Sequence, residues 1–127
     1  MSLLKLPESA EMYLESILIL SRRNPHVRSI DIAHELDYKK SSVSTAMKNL
    51  RENGYIEVDN NGYITLTDKG GAIAESVYER HTLLADWLVR IGVDKATAVA
   101  DACKIEHVIS HESFEALKKH ALSAKGK

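Results

Sequence analysis

An internal disulfide is excluded, because the chain of 127 residues has one cysteine, Cys103. A lone thiol fits a reducing compartment, and the expected location is the cytoplasm. The two prolines and six glycines fall between periodic stretches, so no Pro- or Gly-rich linker is legible. No run approaches the ~18 apolar residues that a membrane span requires. Met1-Ser2-Leu3-Leu4-Lys5-Leu6 is too short for the apolar region of a signal peptide. Charge of one sign is also missing: 17 Lys and Arg stand against 18 Asp and Glu, a net charge of −1. A histone-like, uniformly basic binder is thereby excluded, and any contact with a polyanion must come from a local patch. What is there is 44% hydrophobic and 28% charged residues, the balance of a folded domain or of two small units.

The periodic signals come in a definite order. Met12, Tyr13, Ile17, Leu18 and Leu20 recur at helical spacing over Ser9 to Arg22, and Asn24-Pro25 stops that helix. Ser29 is the expected N-cap of a short second helix carrying Ile30, Ile32, Ala33 and Leu36. Asp37-Tyr38-Lys39 reads as a tight turn. A third helix, Lys40 to Asn53, carries Val43, Ala46, Met47 and Leu50 at i, i+3, i+4 and i+7, with Gly54 past its end. The period then becomes two: Ile56 and Val58, a turn at Asp59-Asn60-Asn61-Gly62, then Ile64 and Leu66. Asn-Gly between alternating runs is a strong hairpin signal. Thr67-Asp68 caps a long helix to about Ile91, Gly92 ends it, and Asp94 caps a fifth helix to about Ile109. Ser110 or Ser113 opens a last helix ending near His120, and Ala121 to Lys127 is expected to fray.

This order predicts a mainly α fold. Residues 1–70 are expected to form a winged helix-turn-helix domain, and residues 71–127 look like an α-helical dimerisation domain, to which the donor residues described next add metal binding. In a helix-turn-helix the second helix of the motif enters the major groove. Here its outer face offers Ser41, Ser42, Ser44, Thr45, Lys48 and Asn49. Small hydroxyl side chains permit close approach and can bond phosphates or base edges. Between Tyr38 and Gly54, Lys39, Lys40, Lys48 and Arg51 face only Glu52, so the patch is basic although the chain is not. Arg22, Arg23 and Arg28 flank it. Double-stranded DNA is the expected partner; a winged helix that binds another protein is the competing reading.

The fifth helix holds Cys103, Glu106 and His107. At ~100° per residue these three fall within an arc of ~100° on one face. A thiolate, a carboxylate and an imidazole converging in this way are donors for a transition metal. The first helix adds Met12 and Glu15 one turn apart, and the fourth adds His81. The zinc-protease order H-E-x-x-H is absent, and no enzyme is expected. Leu83, Leu84, Trp87, Leu88, Ile91, Val99, Ala100, Ala102, Ile105, Val108, Ile109, Phe114 and Leu117 exceed what three short helices need to pack together, which points to a homodimer.

The chain resembles the metal-dependent repressors that include the diphtheria toxin repressor and the manganese transport regulator. The likeness rests on Glu11-Met12-Tyr13-Leu14-Glu15, Ser41-Ser42-Val43-Ser44, Leu66-Thr67-Asp68-Lys69-Gly70, Arg80-His81, Ile91-Gly92-Val93 and, above all, Ala102 to Ser110. It implies a dimeric repressor that binds a palindromic operator when Fe²⁺ or Mn²⁺ is plentiful. It implies a primary site of Met12, Cys103, Glu106 and His107, as in the iron-responsive members; manganese regulators carry Asp and Glu where Met12 and Cys103 stand. Glu15 and His81 match the extra pair that manganese regulators use for a second ion. The iron type's ancillary site would need side-chain ligands at Ala85 and Val99, which cannot supply them, and the length lacks room for that type's SH3-like third domain. Lys40 stands where many members have proline. The alternative is a metal-independent winged-helix regulator that senses a small molecule or oxidation at Cys103.

Overall fold

The computed structural model describes the backbone of residues 8–125 and the side chains of 9–121. Among the described residues the order is α1 (Glu8–Arg23), α2 (Ser29–Leu36), α3 (Lys40–Glu52), β1 (Ile56–Val58), β2 (Ile64–Leu66), α4 (Asp68–Arg90), α5 (Lys95–Val108) and α6 (His111–Lys125). The chain divides into two compact units, Met1–Ser76 and Val77–Lys127, and the division falls inside α4.

In the first unit, α1, α2 and α3 pack on one another, with the β1–β2 hairpin against α1 and α3. The periodic apolar residues are its core: Leu14, Ile17, Ile32 and Val43 are fully buried, and Met47 and Leu50 nearly so. The hairpin is antiparallel, pairing Ile56 with Leu66 and Val58 with Ile64. Val27 adds an isolated bridge to Ile64, whose amide donates to the Val27 carbonyl at 2.7 Å. The turn between α2 and α3 passes through Asp37 in the left-handed region, at φ 57°. The Tyr38 amide then bonds the Ala33 carbonyl at 3.0 Å, which closes α2 and aims the chain into α3.

Three local details differ from the sequence expectation. Ser29 is the first residue of α2 and not its cap; the Arg28 amide at the cap donates to the Asp31 carboxylate at 2.9 Å. The acid three residues on thus satisfies the cap residue's own amide, a different donor from the first-turn amides that a serine hydroxyl would have taken. The hairpin turn is not the two-residue Asn-Gly type, which needs positive φ at both central residues. Only Gly62 has positive φ there, the Gly62 amide bonds the Asp59 carbonyl at 3.0 Å, and the Asp59 carboxylate accepts from the Asn61 and Tyr63 amides. An aspartate that holds two amides favours the longer loop. Finally, α6 continues to Lys125 instead of fraying from Ala121, because Ala121 is 3% exposed and anchors the last turns. Residues 126–127 lie outside the described residues.

The junction into α4 is tightly built. The Thr67 hydroxyl donates to the Gly54 carbonyl at 2.7 Å and accepts from the Gly70 amide at 3.1 Å, so it caps α4 and ties it to the end of α3. A Cβ on Gly70 would overlap the Tyr55 carbonyl, so only glycine fits there. In the second unit, Leu84, Ala85 and Ala102 form a buried cluster with Ile105 and Leu117 packed against it. Asp94 caps α5 by accepting from the Thr97 amide, and the Ser110 hydroxyl caps α6 by accepting from the Ser113 amide at 3.0 Å. No described helix is long and apolar enough to cross a membrane.

Candidate functional site

The buried positions of α5 are Ala98, Ala102, Glu106 and His107. At i, i+4 and i+8 the inward stripe therefore reads Ala, Ala, Glu, and a carboxylate stands where a globular helix would place a leucine. Glu106 is 0% exposed. One of its oxygens lies 3.1 Å from Nδ1 of His81, on α4, and the other 3.3 Å from Nε2 of His107. Neither approach is a hydrogen bond, and both carboxylate oxygens lack one among the described residues. The Cys103 sulfur, a Glu106 oxygen and a His107 nitrogen all lie within 4.8 Å of one another. Two ligands of one first-row ion can stand about 4.5 Å apart at most, so the set is close to chelating spacing.

A buried carboxylate without hydrogen bonds is costly to hold in the charged form. A divalent cation removes that cost, and sulfur, nitrogen and oxygen donors suit a transition metal. The residues present therefore fit the ion that the sequence implies. His26, His34, His111 and His120 are exposed and take no part.

Met12 and Glu15 lie on α1 in the first unit. Glu15 is 7% exposed. Met12 is half-buried, and its sulfur accepts a hydrogen bond from the Tyr38 hydroxyl at 3.2 Å. Sequence reading had no route to that bond: nothing in a helical period relates residues 26 positions apart.

The first unit also carries the expected nucleic-acid face. Lys39, Lys40, Ser41, Ser42, Ser44, Thr45, Lys48 and Asn49 are all exposed, while Val43, Met47 and Leu50 turn inward. Two lysines at the start of α3 oppose the helix dipole, which favours anions at that end; the arrangement helps a bound phosphate more than the helix itself. The Arg28 guanidinium lies 4.8 Å above the Tyr63 ring, and His26 stacks on the same ring at 4.4 Å, so Arg28 places a positive charge beside the loop end of the wing. Arg22 and Arg23 are less available than their position in the sequence suggests. Arg22 is held by both oxygens of Glu75 at 2.9 and 3.0 Å, and Arg23 lies 3.6 Å from Glu35.

A winged helix-turn-helix followed by a helical unit with clustered metal donors defines a class of protein: the metal-dependent transcriptional repressors. Residues 5–72 match the N-terminal DNA binding domain of the iron dependent repressors, and residues 67–122 match their metal binding and dimerisation domain. The chain belongs to the iron dependent repressor family. It is 36% identical over 113 residues to an uncharacterized HTH-type transcriptional regulator of Methanocaldococcus jannaschii, covering 87% of this chain and 90% of that protein. It is 34% identical over 107 residues to the HTH-type transcriptional regulator MntR of Lysinibacillus sphaericus, covering 84% of this chain and 77% of that one. Among solved structures it is similar to the manganese regulator SloR, with a TM-score of 0.78 and 28% identity over 87% of this chain. The chain spans about half of that structure's length, 52%.

Proposed function

We propose that this protein is a homodimeric repressor that binds a palindromic operator in double-stranded DNA in the cytoplasm and is activated by Fe²⁺, with Mn²⁺ as the alternative. It is a regulator and not an enzyme. The primary site is Met12, Cys103, Glu106 and His107, and Glu15 and His81 are available to a second ion. The observation that carries the reading is the fully buried Glu106 carboxylate, set among a thiol and two imidazoles with no hydrogen bond to its oxygens. Met12 and Glu15 join by correspondence with the family.

Bound there, the cation supplies the charge that balances Glu106 and gathers the donors into one cluster. Cys103 and Met12 bias the choice: thiolate and thioether suit Fe²⁺ better than the harder Mn²⁺. Because the ligands come from α1 and α5, holding one ion restrains the helices that carry them, so metal loading and operator binding are coupled. The operator is read by Ser41, Ser42, Ser44, Thr45 and Asn49, with Arg28, Lys39, Lys40 and Lys48 on phosphates. Two recognition helices in a dimer must meet half-sites ~34 Å, or a multiple of it, apart. Val89, Ile91, Val99 and Val108, which are 43, 60, 40 and 73% exposed, favour a dimer surface on the second unit. Leu84, Ala102 and Phe114 do not contribute to it, because they are buried within the unit.

The test is anaerobic binding, across metals, to a duplex selected from a random library. Wild type is expected to respond to Fe²⁺ and Co²⁺ at lower concentrations than to Mn²⁺. A Met12→Asp, Cys103→Glu double variant should reverse that order. A wild type that responds best to Mn²⁺ would overturn the assignment of iron.

A further inference from the structure

The one hydrogen bond described at the Met12 sulfur comes from Tyr38, in the turn of the helix-turn-helix. Tyr38 is 42% exposed, so burial does not explain an aromatic residue at this place. Its contacts do. Its amide is fixed on the Ala33 carbonyl at 3.0 Å, just after the left-handed Asp37. Its ring meets the ring of Tyr13 edge-on, with centroids 6.0 Å apart at 82°. Backbone and ring are both held, and the hydroxyl is thereby presented to the Met12 sulfur at 3.2 Å.

A methionine side chain has three rotatable bonds, and restraining it costs conformational entropy. A thioether sulfur has two lone pairs. One hydrogen bond engages one pair, narrows the rotamers and leaves the other pair open to an ion. We propose that Tyr38 is a positioning residue of the metal site: its hydroxyl holds the Met12 sulfur in place before the ion arrives. This rests on the reading of Met12 as a ligand. Tyr38 also stands two residues before Lys40, where the recognition helix begins, so the same side chain links a ligand to the start of the DNA-reading element.

The test uses the full chain with ¹³C-methyl methionine, and Met12→Leu identifies the Met12 signal among the three methionines. Tyr38→Phe keeps the ring against Tyr13 and removes only the hydroxyl. In metal-free protein this variant should shift the Met12 methyl resonance. Co²⁺ dissociation constants are then measured by chelator competition, without oxygen, for wild type, Tyr38→Phe, Met12→Leu and the double variant. Tyr38→Phe should weaken Co²⁺ binding about threefold to tenfold, the net value of one hydrogen bond. In the Met12→Leu background it should change nothing, because the two side chains act as one unit. Tyr38→Phe that binds Co²⁺ as tightly as wild type, or loses the same factor in both backgrounds, overturns the proposal. If Met12→Leu weakens binding while Tyr38→Phe does not, only the role of Tyr38 falls. If Met12→Leu binds Co²⁺ like wild type, the assignment of Met12 falls and takes the role of Tyr38 with it.

Discussion

In the proposed function Glu106 concentrates the chemistry in one side chain, fully buried and without a hydrogen bond to its oxygens among the described residues. If it is the ligand proposed above, that burial without hydrogen bonds sets the stability of the metal-free fold against metal binding. Glu106→Gln removes the buried charge and is expected to stabilise the metal-free protein by about 1–3 kcal/mol. The same change should abolish stabilisation by metal. Wild type at a hundredfold excess of Co²⁺ over its dissociation constant gains about 2.7 kcal/mol. Thermal melts with chelator and with Co²⁺ distinguish the four states; an unchanged melt for metal-free Glu106→Gln would mean that the carboxylate is not strained. The sequence pointed to this residue through the spacing of Cys103, Glu106 and His107 on one helical face. It could not reveal that Glu106 is 0% exposed, because burial of an acid is set by what packs over it.

At the scale of elements, the helices and the wing follow from periodicity and caps, and their ends follow from single side chains. Gly70 is a case in which geometry is stricter than propensity. Alanine is the better helix former, yet its Cβ would overlap the Tyr55 carbonyl between wing and helix. Gly70→Ala is therefore expected to lose about 2–3 kcal/mol in urea denaturation, by overpacking. Helix α3 makes a different kind of prediction. Lys48 is exposed on the face opposite Val43 and Met47, where a phosphate contact is sequence-independent. Lys48→Ala should weaken binding about equally for matched and mismatched duplexes and lower the salt slope by about one unit. A selective loss for one base pair would instead make Lys48 a base reader. The extension of α6 to Lys125 was illegible, because its cause is the burial of Ala121 and not a signal in the last residues themselves.

For the whole molecule, the governing quantity is the free energy shared between metal and DNA. A coupling of about 5–150-fold is typical of such linkage, and it must be reciprocal. The factor by which Fe²⁺ or Co²⁺ tightens the operator complex should equal the factor by which the operator tightens metal binding. Anaerobic titrations in both directions measure the two factors. DNA affinity independent of metal would remove the switch and leave the DNA-binding surface standing.

The sequence by itself determined the order of elements, the apolar core of the winged helix and the two donor groups that each share a helical turn. These are local properties: a period of 3.6 or 2, a cap, a turn residue, an arc on one helix. Tertiary structure alone decided that Glu106 is sealed without hydrogen bonds, that Tyr38 reaches the Met12 sulfur, that Glu75 restrains Arg22, and that the Gly70 backbone lies against Tyr55. Each of these joins residues far apart in the chain. Such pairings depend on how packed elements bring side chains together in space, and no spacing along one element encodes that.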